Sequence, residues 1–255
     1  MTKRQKFLLS SGLLSLALLG IQYVPIDYRY VAIFGFFLIT YLISAWALFD
    51  DLKGIEWLTI LSLPSLYAAA IGLFYFLLPS SWPSRLLIIS FFGLGMYALY
   101  LTENIYSVAA VRTIQLLRAA HAVGFLLSIL TLALLYNTIF SLQWPFWANG
   151  IICLVTTFPV VAQGLWSVRL EKSVSKNILR MSLGLSINCG IIAIILSFLP
   201  VTVWIAALFL ATVSYVCLGL LQHELNERLF GRTISEYVVV GFLVFIATLL
   251  VTPWK

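Results

Sequence analysis

Very few side chains in this sequence are equipped for chemistry, and the most conspicuous come in two matching sets. Glu103 stands twenty-four positions after Pro79 and is followed by Arg112-Thr113-Ile114. Glu224 stands twenty-four positions after Pro200 and is followed by Arg232-Thr233-Ile234. A carboxylate and a guanidinium held together at a membrane surface form a polar site. The same pair also pins an elbow between two spans, at modest energy where water reaches it. The second role accounts for the pattern without any reaction.

Three further constellations bear on chemistry. Asp50 and Asp51, with Glu56 close behind, form the densest acidic group. Adjacent carboxylates can hold Mg²⁺ against a diphosphate. Here Leu52-Lys53-Gly54 interrupts the D-D-x-x-D spacing, and a solvated acidic turn is the simpler reading. His223-Glu224-Leu225-Asn226-Glu227 starts like the zinc-protease pattern H-E-x-x-H, but Glu227 replaces the second imidazole. Asn149, Gln163 and Asn188 are the polar residues nearest the middle of apolar runs. They suit a small polar site or, more commonly, hydrogen bonds between helices. Ser90, Ser128 and Ser186 have no matched base. Cys153, Cys189 and Cys217 are odd in number and lie within apolar runs, where a free thiol behaves as a small hydrophobe. No catalytic residue, cofactor or metal is expected.

The elements that must position these residues are membrane helices. The 255 residues are 62% hydrophobic and 9% charged, against about 45–50% and about 25% in a soluble domain. Mean hydropathy is +1.07. Apolar runs are near the ~20 residues a helix needs to cross a bilayer. Runs such as Ile205–Val216 are apolar on every face, which rules out the alternation of a barrel strand. Nine runs qualify: about Phe7–Val24, Val31–Phe49, Trp57–Leu78, Leu86–Leu101, Ala119–Leu135, Trp147–Ser167, Met181–Leu199, Val203–Leu221 and Tyr237–Val251. Pro64 and Pro159 fall inside runs and remove one backbone donor each. Asn104–Arg118 and His223–Glu236 are expected to lie along the membrane surface as short helices. The first run follows a basic start, as in a signal peptide, but lacks a small-x-small cleavage site and reads as an uncleaved anchor.

Charge sets the orientation. With the N-terminus cytoplasmic, twelve of the 15 Lys and Arg fall inside, leaving Arg29, Arg85 and Lys255 outside. The fold expected is therefore an all-α polytopic transmembrane bundle of about nine helices, N-in and C-out, in the cell membrane. Trp82, Trp144, Trp147, Trp204 and Trp254 on or near the outer side suit an interfacial belt. Gly124-Phe125-Leu126 and Gly241-Phe242-Leu243 extend the matching landmarks, and Trp46 and Trp166 are 120 positions apart. One integral membrane domain, 1–255, is expected to contain a four-helix unit duplicated in parallel, 7–118 and 119–235, with a ninth helix at 237–251.

The formal net charge of +6 suits anionic lipid and not nucleic acid. The partners expected are the bilayer and a membrane protein or a second copy. Short loops and the lack of a motif favour a non-enzymatic scaffold or complex subunit. The alternatives are a transporter or flippase of an uncharged or lipid-like substrate, and a membrane transferase using Asp50, Asp51 and Glu103 at the cytoplasmic surface.

Overall fold

The computed structural model describes residues 2–49, 52, 54–78, 81–109, 115–171 and 173–252, the side chain of Ile26 excepted. Asp50, Asp51 and Arg112 lie outside the described residues, as do Pro79, Thr113 and Ile114. Among the described residues there are nine α-helices, one 3-10 turn at Ile26–Tyr28 and no strand. The helices are α1 (Lys3–Ile21), α2 (Arg29–Leu48), α3 (Glu56–Tyr75), α4 (Trp82–Ala109), α5 (Leu117–Ser141), α6 (Phe146–Arg169), α7 (Lys176–Phe198), α8 (Val203–Leu225) and α9 (Gly231–Val251). Eight of them, α2 to α9, are long and apolar enough to cross a membrane. Helix α1 is the exception because Lys3, Arg4 and Lys6 occupy its first turns. It is nevertheless a well-formed helix, closed by a capping box in which Thr2 and Gln5 exchange hydrogen bonds.

The chain divides into two compact units, Met1–Leu127 and Ser128–Lys255, with the boundary inside α5. In the first unit α1 packs on α4 and α2, and α3 packs on α2 and α4. The core is aromatic. Tyr67 of α3 stacks on Phe92 of α4 with centroids 5.8 Å apart and donates its hydroxyl to the Phe91 carbonyl at 3.2 Å. Gly95 permits this approach, because a Cβ there would overlap the Tyr67 hydroxyl. Arg29 lies over the ring of Phe76 and Arg85 over Tyr23, so both cations cover an aromatic face.

In the second unit the most extensive packing is between α6 and α7. Gly150 and Gly190 set it: a Cβ on Gly190 would stand 2.9 Å from the Gly150 carbonyl oxygen. Two helix backbones can approach this closely only where both residues are small. Helices α3 and α6 run on through Pro64 and Pro159.

The surface helices expected at Asn104–Arg118 and His223–Glu236 do not form among the described residues. Residues 104–109 continue α4, so Glu103 lies well inside a helix rather than at its end. Helix α8 stops at Leu225 in a Schellman motif: Arg228 N–H reaches the His223 carbonyl and Glu227 N–H reaches that of Glu224, both at 2.9 Å. Glu227 supplies the left-handed residue, with φ 56°. The chain then enters α9 at Gly231.

Candidate functional site

The polar residues of the first unit gather where α4 meets α5. Glu103 is fully buried, and Glu56, in the first turn of α3, is 7% exposed. Ser107, one turn beyond Glu103, donates its hydroxyl to Glu56 Oε2 at 3.1 Å and so ties α4 to α3. One turn before Glu103, the Tyr100 hydroxyl pairs with Ser44 of α2 at 3.1 Å. Tyr106 donates to the Ala120 carbonyl of α5 at 3.0 Å, and its ring lies 5.6 Å from that of His121. Gly124 leaves room for the Tyr106 hydroxyl. Four helices are thus fastened by side chains spaced three or four apart along one face of α4. A buried carboxylate is costly unless partnered, and Glu103 is not without a partner there.

The matching landmarks of the second unit are arranged differently. Glu224 is exposed in the last turn of α8. Arg232 turns away from it and pairs with Glu236 one turn along α9, Nε to Oε1 at 3.1 Å, on side chains 91% and 67% exposed. An exposed pair of this spacing contributes only about 0.3–0.5 kcal/mol. His223 Nδ1 lies 2.8 Å from the Gly219 carbonyl, an acceptor, which assigns the proton to Nδ1. Its ring meets Tyr237 of α9 at 5.6 Å, and Gly219 makes room for that tyrosine. The two histidines of the chain therefore each contact a tyrosine across an elbow, with a glycine of the histidine's own helix facing it.

Asn149, Gln163 and Asn188 do not share a site. Asn149 and Gln163 are both buried on α6, but fourteen residues of helix separate them by about 21 Å. Asn188 is exposed on α7 and bonds the Gly184 carbonyl of its own helix at 2.8 Å. Asn149 is the best placed of the three for a ligand. It helps to line a cavity of about 360 Å³ at the end of the unit where α5 meets α6 and α7 meets α8. Its Nδ2 donates to the Trp144 carbonyl at 3.3 Å and to Ser197 Oγ at 3.0 Å. Ser197 has already given its proton to the Ala193 carbonyl, so both partners require a donor and the amide orientation follows. Asn149 Oδ1 is left buried without a partner. Trp144, Phe146 and Phe198 supply aromatic walls, and no charged side chain lines the space.

The centre of the second unit is a knot of hydroxyls. Tyr136 of α5 pairs with Thr157 of α6 at 2.7 Å and with Ser214 of α8 at 3.0 Å, and Ser214 lies 3.4 Å from Cys189 Sγ of α7. All four residues are fully buried. Sequence reasoning passed over Tyr136, Thr157 and Ser214 because isolated hydroxyls in apolar runs carry no spacing signal. Glu56 was read as part of a solvated turn and is instead buried. Among the described residues, no three His, Cys, Asp or Glu side chains form a group able to hold a metal ion.

These features define an α-helical protein of membrane-span composition, in which most serine and threonine hydroxyls bond their own helix and buried tyrosines join neighbouring helices. The chain belongs to the family described as protein of unknown function (DUF5656), whose sequence pattern matches residues 44–251, from the last turns of α2 to the end of α9. No curated protein and no solved structure matches it.

Proposed function

We propose that this chain is a non-enzymatic subunit of a membrane complex and that α9 is the helix that meets a protein partner. The exposure of α9 carries this reading. Only 6% of its most apolar stretch is buried, against 39–61% in α2 to α8. It packs on α8, and Thr248 is its one buried residue. Phe242, Leu243, Phe245, Leu249 and Leu250 are all exposed. Spans associate in part through van der Waals packing, and α9 leaves this whole surface uncovered for a neighbouring span.

The orientation belongs to the same proposal: α1 crosses as a ninth span, the N-terminus is cytoplasmic and the C-terminus lies outside the cell membrane. The bias of Lys and Arg supports it. A parallel duplication is supported by the matched spacing of Pro79 and Glu103 with Pro200 and Glu224 and by the repeated Gly-Phe-Leu at 124 and 241. Under it, α9 corresponds to α5 and begins a third copy.

A photoreactive residue at Phe242, activated in native membranes, tests the role of α9. The expected product is a discrete protein adduct, absent when the label sits at buried Leu132. Lipid adducts alone would defeat the proposal. A second reading, a carrier of a small uncharged molecule, is favoured by the Asn149 cavity and its unspent acceptor. It predicts that Asn149→Leu abolishes a transport signal while leaving the α9 adduct intact.

A further inference from the structure

Asn188 occupies a costly place. It stands twelve residues from the start of α7 and ten from its end, about 18 Å and about 15 Å at 1.5 Å per residue, hence near the middle of the span. It is exposed on the helix surface there. Its amide has two N–H donors and an acceptor oxygen. The Gly184 carbonyl takes one donor, at 2.8 Å, and because a carbonyl only accepts, the nitrogen is the atom facing it. The remaining N–H and Oδ1 face outward in a region where lipid chains offer no hydrogen bond.

The surroundings suit a helix. A groove of about 390 Å³ runs beside Asn188 between α7 and α8, with Met181, Leu185 and Ile192 on one wall and Val213, Cys217 and Leu221 on the other. Gly184, one turn from Asn188, is itself exposed and has open space where a side chain would be. A second backbone can therefore come close at the level of the amide. Thr212, half-buried on α8, has donated its hydroxyl proton to the Leu208 carbonyl and makes no comparable demand.

We infer that this face of α7 is a homodimer contact in which Asn188 pairs with Asn188 of a second copy across a twofold axis. An amide donates and accepts at once, so two identical amides satisfy each other, as an isologous interface requires. Gly184 sets the close approach, and apolar side chains of each copy enter the groove of the other. A polar residue within a span acts as this kind of interhelical fastener. The inference rests on the membrane-spanning character of the chain and not on what α9 meets.

The test uses the full chain, labelled with one fluorophore per copy and reconstituted into phosphatidylcholine vesicles over a range of dilutions. Photobleaching steps should show dimers. Asn188→Leu should weaken association about tenfold, in line with an interhelical amide bond lost in lipid. Asn188→Gln should retain most of it. Ile191→Cys, on the same exposed face, should yield a disulfide-linked dimer on mild oxidation, whereas Leu94→Cys on α4 should not. Both positions are exposed. Single steps at every dilution, or association unchanged by Asn188→Leu, would overturn the inference. So would an Ile191→Cys chain that stays monomeric on oxidation. None of these results bears on the α9 adduct, so the two proposals fail separately.

Discussion

The α4–α5 and α8–α9 elbows carry the same landmarks and opposite burial. Each has a glutamate in its first helix, Glu103 six residues before the end of α4 and Glu224 in the last turn of α8, and a histidine–tyrosine contact faced by a glycine, with the two rings on exchanged helices. At the first elbow Glu103 is sealed and α5 is 61% buried over its most apolar stretch. At the second, Glu224 is exposed and the corresponding figure for α9 is 6%. Similar local chemistry thus serves two purposes. The first elbow is fastened into a packed unit through Ser107, Glu56, Tyr100 and Ser44. The second fixes only the departure of α9 from α8 and leaves the rest of α9 uncovered.

The largest test of that contrast is a pair of substitutions. Glu103→Ala should destabilise the first unit by about 3 kcal/mol, because it empties a fully buried position on the packed face of α4. Glu224→Ala should stay within about 0.5 kcal/mol. Unfolding of each variant in mixed micelles reads both, and equal effects would erase the distinction. Gly190→Ala comes next, at about 2 kcal/mol, since the obstacle is the Gly150 backbone and cannot move aside as a side chain would. Gly184→Ala, with open space above it, should cost nothing by the same assay in a monomeric preparation. Tyr136→Phe should cost about 1 kcal/mol, the net worth of a hydrogen bond, because Thr157 and Ser214 keep their bonds to the Cys153 and Leu210 carbonyls. One substitution should bring a gain: Glu227→Gly should stabilise the α8 terminus by about 0.5–1 kcal/mol by removing a side chain from a left-handed position. A rise in thermal midpoint would report it.

Much of the architecture was legible in the sequence because hydropathy and length suffice to mark a span. All of α2 to α9 overlap the runs expected for them. Helix ends were harder to read. Glu103 was read as terminal because the apolar run stops near Leu101, yet α4 continues eight residues beyond that point through polar positions that are themselves buried. Hydropathy cannot see a polar residue that is buried because another helix partners it. The same blindness hid Glu56, Tyr136 and Ser214, whose partners lie 21 to 78 positions away along the chain. Asn149, Gln163 and Asn188 were noticed for their depth, but depth alone did not tell buried from exposed. Asn188 alone of the three is exposed, and a shift of one or two positions around the helix decides it.

The central claim is that α9 is covered in the membrane by something other than lipid. A spin label at Phe242 tests it through its collision rate with oxygen dissolved in the bilayer. In vesicles of purified chain the rate should match that of a lipid-facing label at Leu87, which is 70% exposed. In native membranes it should fall to that of a label at buried Leu132. A rate at Phe242 that stays lipid-like in native membranes would contradict the account.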